Sequence, residues 1–134
     1  MDATERQQLF RDVVVLAPLT KGGNLPFRRL TVELGARVTT GEMAVARFVL
    51  KRKRGEMALL RRADDEPFFG AQLAGRIPEE MADAAVMAVE RGADFVDVNL
   101  GCPIDAFCRK GLGAALMRKP NKVERIVAAM RAAI

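Results

Sequence analysis

The chain contains no histidine, and only two of its 134 residues, Cys102 and Cys108, are cysteines. Without histidine, Ser-His-Asp and Cys-His nucleophile chemistry lacks its usual base. A proton donor must therefore be Cys, Lys, Asp or Glu. Two cysteines six positions apart argue against a disulfide scaffold and give zinc too few ligands. A reducing, cytoplasmic setting with no metal is expected. No stretch approaches the ~18 consecutive apolar residues that cross a bilayer. Met1 to Arg11 is polar and carries both charge signs, so no signal peptide, anchor or membrane partner is read. No G-x-G-x-x-G follows the first apolar run, so the dinucleotide fingerprint is missing.

What is present has the profile of one soluble globular domain, or part of one: 50% hydrophobic residues, 29% charged residues and a mean hydropathy of +0.03. Such a chain can bury roughly two thirds of its unfolded surface, which excludes disorder and collagen. The net charge of +5 is unevenly spread. Between Arg47 and Arg62 lie seven basic residues and one acid, Glu56. That segment is an electrostatic footprint for phosphate-rich partners or else a solvated helix face.

A strand-like run followed by a helix-like run occurs four times. The strand candidates are 13–16, 37–41, 68–73 and 94–100, short and mostly rich in β-branched or aromatic residues. The spacing predicts a first helix capped by Asn24, with Pro26 in its first turn. That helix is expected to bury Phe27, Leu30 and Leu34, to turn Arg28 and Arg29 outward, and to stop at Gly35. Residues 44–62 read as two short helices interrupted at Gly55. The third helix starts at Pro78, repeats Met81, Ala85, Ala88 and Val89 on one face and stops at Gly92. The fourth starts at a capping-box-like Asn121 and Glu124, with the stripe Val123, Ile126, Val127, Met130 and Ile134.

Strand starts 24, 31 and 26 residues apart approach the ~31 per unit of a (β/α)8 barrel of about 250 residues. Polar residues cluster at strand ends, in Pro18-Leu19-Thr20, Gly41-Glu42, Gln72 and Asn99 to Pro103. These positions favour a barrel over a doubly wound sheet. The expected fold is α/β, the N-terminal half of a (β/α)8 TIM barrel with four βα units, after a lead-in over 1–12. An open four-stranded sheet would leave unsatisfied edges. A second-half chain or a homodimer is therefore an alternative to a longer chain.

Six motifs occur in order between Val13 and Ile134: Ala17-Pro18-Leu19-Thr20 with Gly23-Asn24-Leu25-Pro26-Phe27-Arg28-Arg29; Gly41-Glu42-Met43; Gly70-Ala71-Gln72-Leu73; Asp97 to Pro103; and Arg109-Lys110-Gly111, closing the series. In this order and spacing the sequence resembles the N-terminal part of a tRNA-dihydrouridine synthase. The Ala-Pro-Leu-Thr and Gly-Cys-Pro-Ile-Asp wording is closest to the branch that modifies the tRNA variable loop.

The resemblance implies an FMN-binding TIM barrel followed by a helical tRNA-binding domain, with NADPH as reductant of the uracil C5=C6 bond. It makes Cys102 the catalytic proton donor at C5. Thiols in general titrate near ~8.5 and are protonated at neutrality, which suits donation. It also implies FMN contacts from Pro18, Leu19, Thr20, Gln72 and Asn99, and tRNA contacts from Arg109, Lys110 and Glu42. Many relatives carry Met where Leu19 stands, and Cys108 matches no functional position. A fifth-strand lysine, a following histidine and the phosphate-binding loops are expected beyond residue 134, so the isolated chain is expected to be inactive. Two alternatives stay open: another FMN-barrel pyrimidine oxidoreductase, of the dihydroorotate or dihydropyrimidine dehydrogenase kind, or a non-catalytic RNA-binding or half-barrel dimer protein.

Overall fold

A computed structural model describes residues 3–134 of the chain; Met1 and Asp2 lie outside the described residues. A short helix, α1 (Ala3–Leu9), occupies the lead-in. It ends near Phe10, whose ring meets Phe68 and Phe95 edge-on at 6.0 and 5.9 Å. The lead-in is thus tied to the fold by an aromatic cluster rather than being a bare extension.

Five strands follow: β1 (Val15–Leu16), β2 (Val38–Thr40), β3 (Ala44–Val45), β4 (Phe69–Ala74) and β5 (Phe95–Val98). All pairings are parallel. β4 is central, with β2 and then β3 along one side and β5 along the other. The four expected strands therefore lie side by side in chain order. That order has no reversal point of the doubly wound kind and is the winding of a barrel.

β3 is a correction. Residues 44–45 were assigned to a helix, but they resume the pairing of β2 after the interruption at Gly41–Met43, with Ala44 opposite Leu73. Glu56 Oε2 accepts the Val45 N–H at 2.7 Å and satisfies the backbone where pairing ends.

The helices are α2 (Leu25–Glu33), α3 (Ala46–Leu50), α4 (Arg54–Leu59), α5 (Pro78–Glu90), α6 (Asp105–Cys108) and α7 (Pro120–Ala133), with a 3₁₀ helix at Gly113–Arg118. Asn24 caps α2 as expected, its Oδ1 accepting the Phe27 N–H at 3.2 Å. The orientation of α2 is the reverse of the expectation at Arg28 and the apolar positions, while Arg29 is exposed as expected. Phe27, Leu30 and Leu34 are 37%, 50% and 80% exposed, whereas Arg28 is 1% exposed. The reason is Glu66, equally buried, which binds the guanidinium through Arg28 Nε at 2.7 Å and Nη2 at 3.3 Å. The remaining Arg28 donors reach Gly23 O and Arg61 O, and the guanidinium lies 4.5 Å from the Phe69 ring centroid. Thr39 Oγ1 and the Ala63 N–H donate to the same carboxylate. Each charge is thus both paired and hydrogen-bonded, the condition under which buried ions are tolerated.

Further corrections are local. Gly55 lies inside α4; the break falls at Lys51–Lys53, where Arg52 takes φ 50°. α7 begins at Pro120 with Lys119 preceding it and no side-chain cap, so Asn121 and Glu124 form no capping box. Val89, Val127 and Ile134 are exposed at the margins of their stripes. Gly35 and Gly92 end their helices at φ 100° and 92° as expected.

The apolar core lies between the sheet and α3, α5 and α7. Phe69, Ala71 and Leu73 of β4 pack with Met81, Ala85, Ala88, Ile126 and Met130. Residues alternate across a strand, so Gly70 and Gln72 point to the helix-free face. There the Phe95 ring fills the space where a side chain at residue 70 would stand.

Candidate functional site

The helix-free face carries a polar ladder at the C-terminal end of the sheet. Parallel pairing sets Gln72 opposite Asp97, and Gln72 Nε2 donates to Asp97 Oδ2 at 2.6 Å. Past the end of β5 the Asn99 N–H still pairs with Leu73 O at 2.9 Å. That bond holds the Asn99 amide beside Gln72, and Asn99 Nδ2 donates to Gln72 Oε1 at 2.9 Å. Asn99 Oδ1 then accepts the Cys102 N–H at 3.1 Å. Because a carboxylate can only accept, Asp97 sets the sense of the series. It fixes which end of each amide points where, as far as the backbone of Cys102.

The other side of Cys102 is held as well. Its carbonyl accepts the Ala114 N–H at 3.0 Å and the Cys108 thiol at 3.6 Å. Gly113 takes φ 57°, and a side chain there would run into the Cys102 carbonyl. Only glycine combines that backbone with so close an approach. Both cysteines are free and half-buried. Cys108, which matched no function in sequence, braces the turn of Cys102.

Three expected site residues, Gln72, Asn99 and Cys102, are therefore linked by consecutive hydrogen bonds. The loop Pro18-Leu19-Thr20 follows β1 on the same rim. It joins Glu42, whose Oε2 accepts the Lys21 N–H at 2.7 Å where Lys21 has φ 63°. Glu42 thus pins the first loop. Among the described residues no hydrogen bond joins that loop to the Cys102 ladder. Arg109 is exposed and paired with Asp105 at 2.8 Å, and Lys110 is exposed at the mouth of a neighbouring cavity. Sequence reasoning assigned no role to Asp97 or Gly113. The polar alternation Asp97, Asn99 within an otherwise apolar strand was the available signal for Asp97.

The ladder leaves Gln72 one amide hydrogen and one carbonyl lone pair unused, and Asn99 a second amide hydrogen. Paired donors and acceptors of this kind fit the alternating N–H and C=O edge of a flavin ring. Among the described residues no group of three or more His, Cys, Asp or Glu could hold a metal ion. No helix among them is long and apolar enough to cross a membrane.

A parallel sheet wound in strand order, with a braced cysteine turn after the strand of its fourth unit, defines a barrel-type α/β scaffold with its candidate site at the strand C-termini. The sequence model of the dihydrouridine synthase family matches residues 15–134, and the chain belongs to that family. It is 46% identical over 121 residues to a tRNA-dihydrouridine(47) synthase [NAD(P)(+)]-like protein of Oryza sativa subsp. japonica, covering 90% of this chain and 18% of that one. A protein of the same name from Homo sapiens is 46% identical over 128 residues, covering 94% and 20%. One from Arabidopsis thaliana is 48% identical over 120 residues, covering 88% and 17%. The chain spans about a fifth of the length of the curated relatives it matches.

Proposed function

We propose that this chain is the cysteine-bearing part of the catalytic barrel of a tRNA-dihydrouridine synthase, reducing the C5=C6 bond of a tRNA uridine. The position in the relatives' names, 47, supports a uridine of the variable loop as the substrate. The observation that carries the reading is the ladder from Asp97 through Gln72 and Asn99 to the Cys102 backbone. It sets one half-buried thiol at the strand C-terminal rim, in a chain without histidine.

Gln72, Asn99 and the Pro18 to Thr20 loop would hold the ring of FMN. The chemistry asked of the flavin is hydride delivery to uracil C6, with NADPH as the two-electron source. Cys102 donates its thiol proton to C5, so the saturated ring gains one hydride and one proton and the thiolate is reprotonated from water. The backbone bonds to Cys102 restrict where its Sγ can go, and that orientation is what makes proton donation effective. Glu42 supports the approach of substrate by fixing the first loop, and Arg109 and Lys110 supply charge for RNA. The setting is cytoplasmic, where tRNA and NADPH meet.

The test uses the native full-length protein. Cys102→Ala is expected to keep the flavin absorbance band and to lose roughly 10²–10⁴-fold in dihydrouridine formation on unmodified tRNA. Unchanged turnover would remove Cys102 from the mechanism. Reduction of free uracil without tRNA would favour a pyrimidine oxidoreductase instead.

A further inference from the structure

A cavity of about 360 Å³ opens beside the Cys102 turn, where β3 and β4 end. This is at the small end of the roughly 300–1,000 Å³ of small-molecule sites. Three cations line it: Arg47 after β3, Arg76 after β4 and Lys110 after α6. Two half-buried rings, Phe48 and Phe107, form part of its wall, and Glu80 is the acid among the lining residues. The cations come from helix α3, the β4–α5 connection and the segment after α6, which are far apart in sequence. Two of them, Arg47 and Lys110, belong to the basic segment and the cysteine-side loop that sequence reasoning had singled out separately.

Four arginines have acidic partners: Arg28 with Glu66, Arg29 with Asp65, Arg62 with Asp94 and Arg109 with Asp105. Arg47, Arg76 and Lys110 have none among the described residues. Lys53 adds a fourth cation from outside the cavity, its Nζ 4.2 Å from the Phe48 ring centroid. Unpaired cations around aromatic walls provide charge for a phosphate and faces for a base. That combination is the chemistry of single-stranded nucleic acid binding. Phe107 and Lys110 also stand on the segment whose Cys108 thiol bonds the Cys102 carbonyl, so the cavity adjoins the turn that carries the proton donor.

We infer that this cavity is a subsite for one nucleotide flanking the uridine presented to Cys102, with its phosphate on Arg47, Arg76 and Lys110 and its base against Phe48 and Phe107. The inference rests on the tRNA reading above. A nucleotide held here anchors the strand one step from the reacting base, so an extruded uridine is presented with its neighbour already fixed.

The test measures binding of an unmodified tRNA transcript to the native full-length protein by fluorescence anisotropy across a salt series. Arg47→Ala/Arg76→Ala is expected to weaken binding about tenfold and to lower the slope of log K against log salt by about 0.7, the value for one single-strand phosphate. Phe48→Leu is expected to weaken binding about five- to tenfold with the slope unchanged, because it removes stacking without charge. Both variants should retain flavin and the parent circular dichroism spectrum. Unchanged affinity or slope in the arginine variant overturns the subsite, as does unchanged affinity in Phe48→Leu. If the parent protein neither binds nor reduces tRNA, the functional reading itself fails, and that result is separate from either variant's.

Discussion

β4 buries all six of its residues, whereas β1 is two residues long, with Val15 39% exposed and Val14 before it 87% exposed. The helices that follow these strands differ in the same way. α5 places Met81, Ala84, Ala85 and Ala88 in the main apolar cluster, which begins at Ala44. α2 has a single buried residue, and it is an arginine. The later units are held by apolar packing. The first is attached by a short ladder to β2 and by the Arg28–Glu66 pair. Apolar packing is spread over many residues and degrades gradually, while an ionic attachment concentrates its contribution in two side chains.

The largest expected effect follows from that concentration. Arg28→Ala leaves the Glu66 carboxylate buried without its counter-ion, which costs about 3–5 kcal/mol. The denaturant midpoint should fall accordingly, and hydrogen exchange should accelerate in α2 before α5 and α7. A loss below about 1 kcal/mol would show that the pair is not what holds the first unit. The double change Arg28→Met/Glu66→Leu should recover only part of the loss. It removes the unpaired charge but leaves the Thr39 hydroxyl and the Ala63 N–H without their acceptor.

The opposite region gives the next effect. Ile126 is fully buried where α7 meets α5 and β4. Ile126→Val should cost about 0.5–1.5 kcal/mol by removing one methylene from a packed site. Exchange should then rise in α5 and α7 and leave α2 as it was. An equal rise in α2 would mean that the two regions open as one unit.

How far the sequence shows this contrast depends on the range of each interaction. The Asn24 cap and the stops at Gly35 and Gly92 were legible because they are set within a few residues. The burial of α2 was not. Phe27, Leu30 and Leu34 have core-like spacing, and the partner that reverses the helix lies 38 residues away in a loop. β3 was missed because two residues carry no periodicity. At the site, the family resemblance named Gln72, Asn99 and Cys102, and the structure brings the three together. Their linkage was not legible, because it depends on the β4–β5 register and on Asp97, which the spacing alone could not place opposite Gln72.

The smallest expected effect comes from an ion pair of the same chemistry in the opposite setting. Asp105 at the start of α6 and Arg109 just past its end are four residues apart and 2.8 Å from each other, with the Arg109 and Asp105 side chains 80% and 83% exposed. Solvent screening and the cost of ordering two long side chains limit such a pair to below about 0.5 kcal/mol. Asp105→Ala should therefore leave the denaturant midpoint nearly where it is. It does free the Arg109 guanidinium and removes one negative charge next to the proposed RNA path. The variant should accordingly bind unmodified tRNA slightly more tightly at low salt, with the gain lost as ionic strength rises. A gain that persists at high salt would point to a rearranged cysteine-side loop rather than to a released charge.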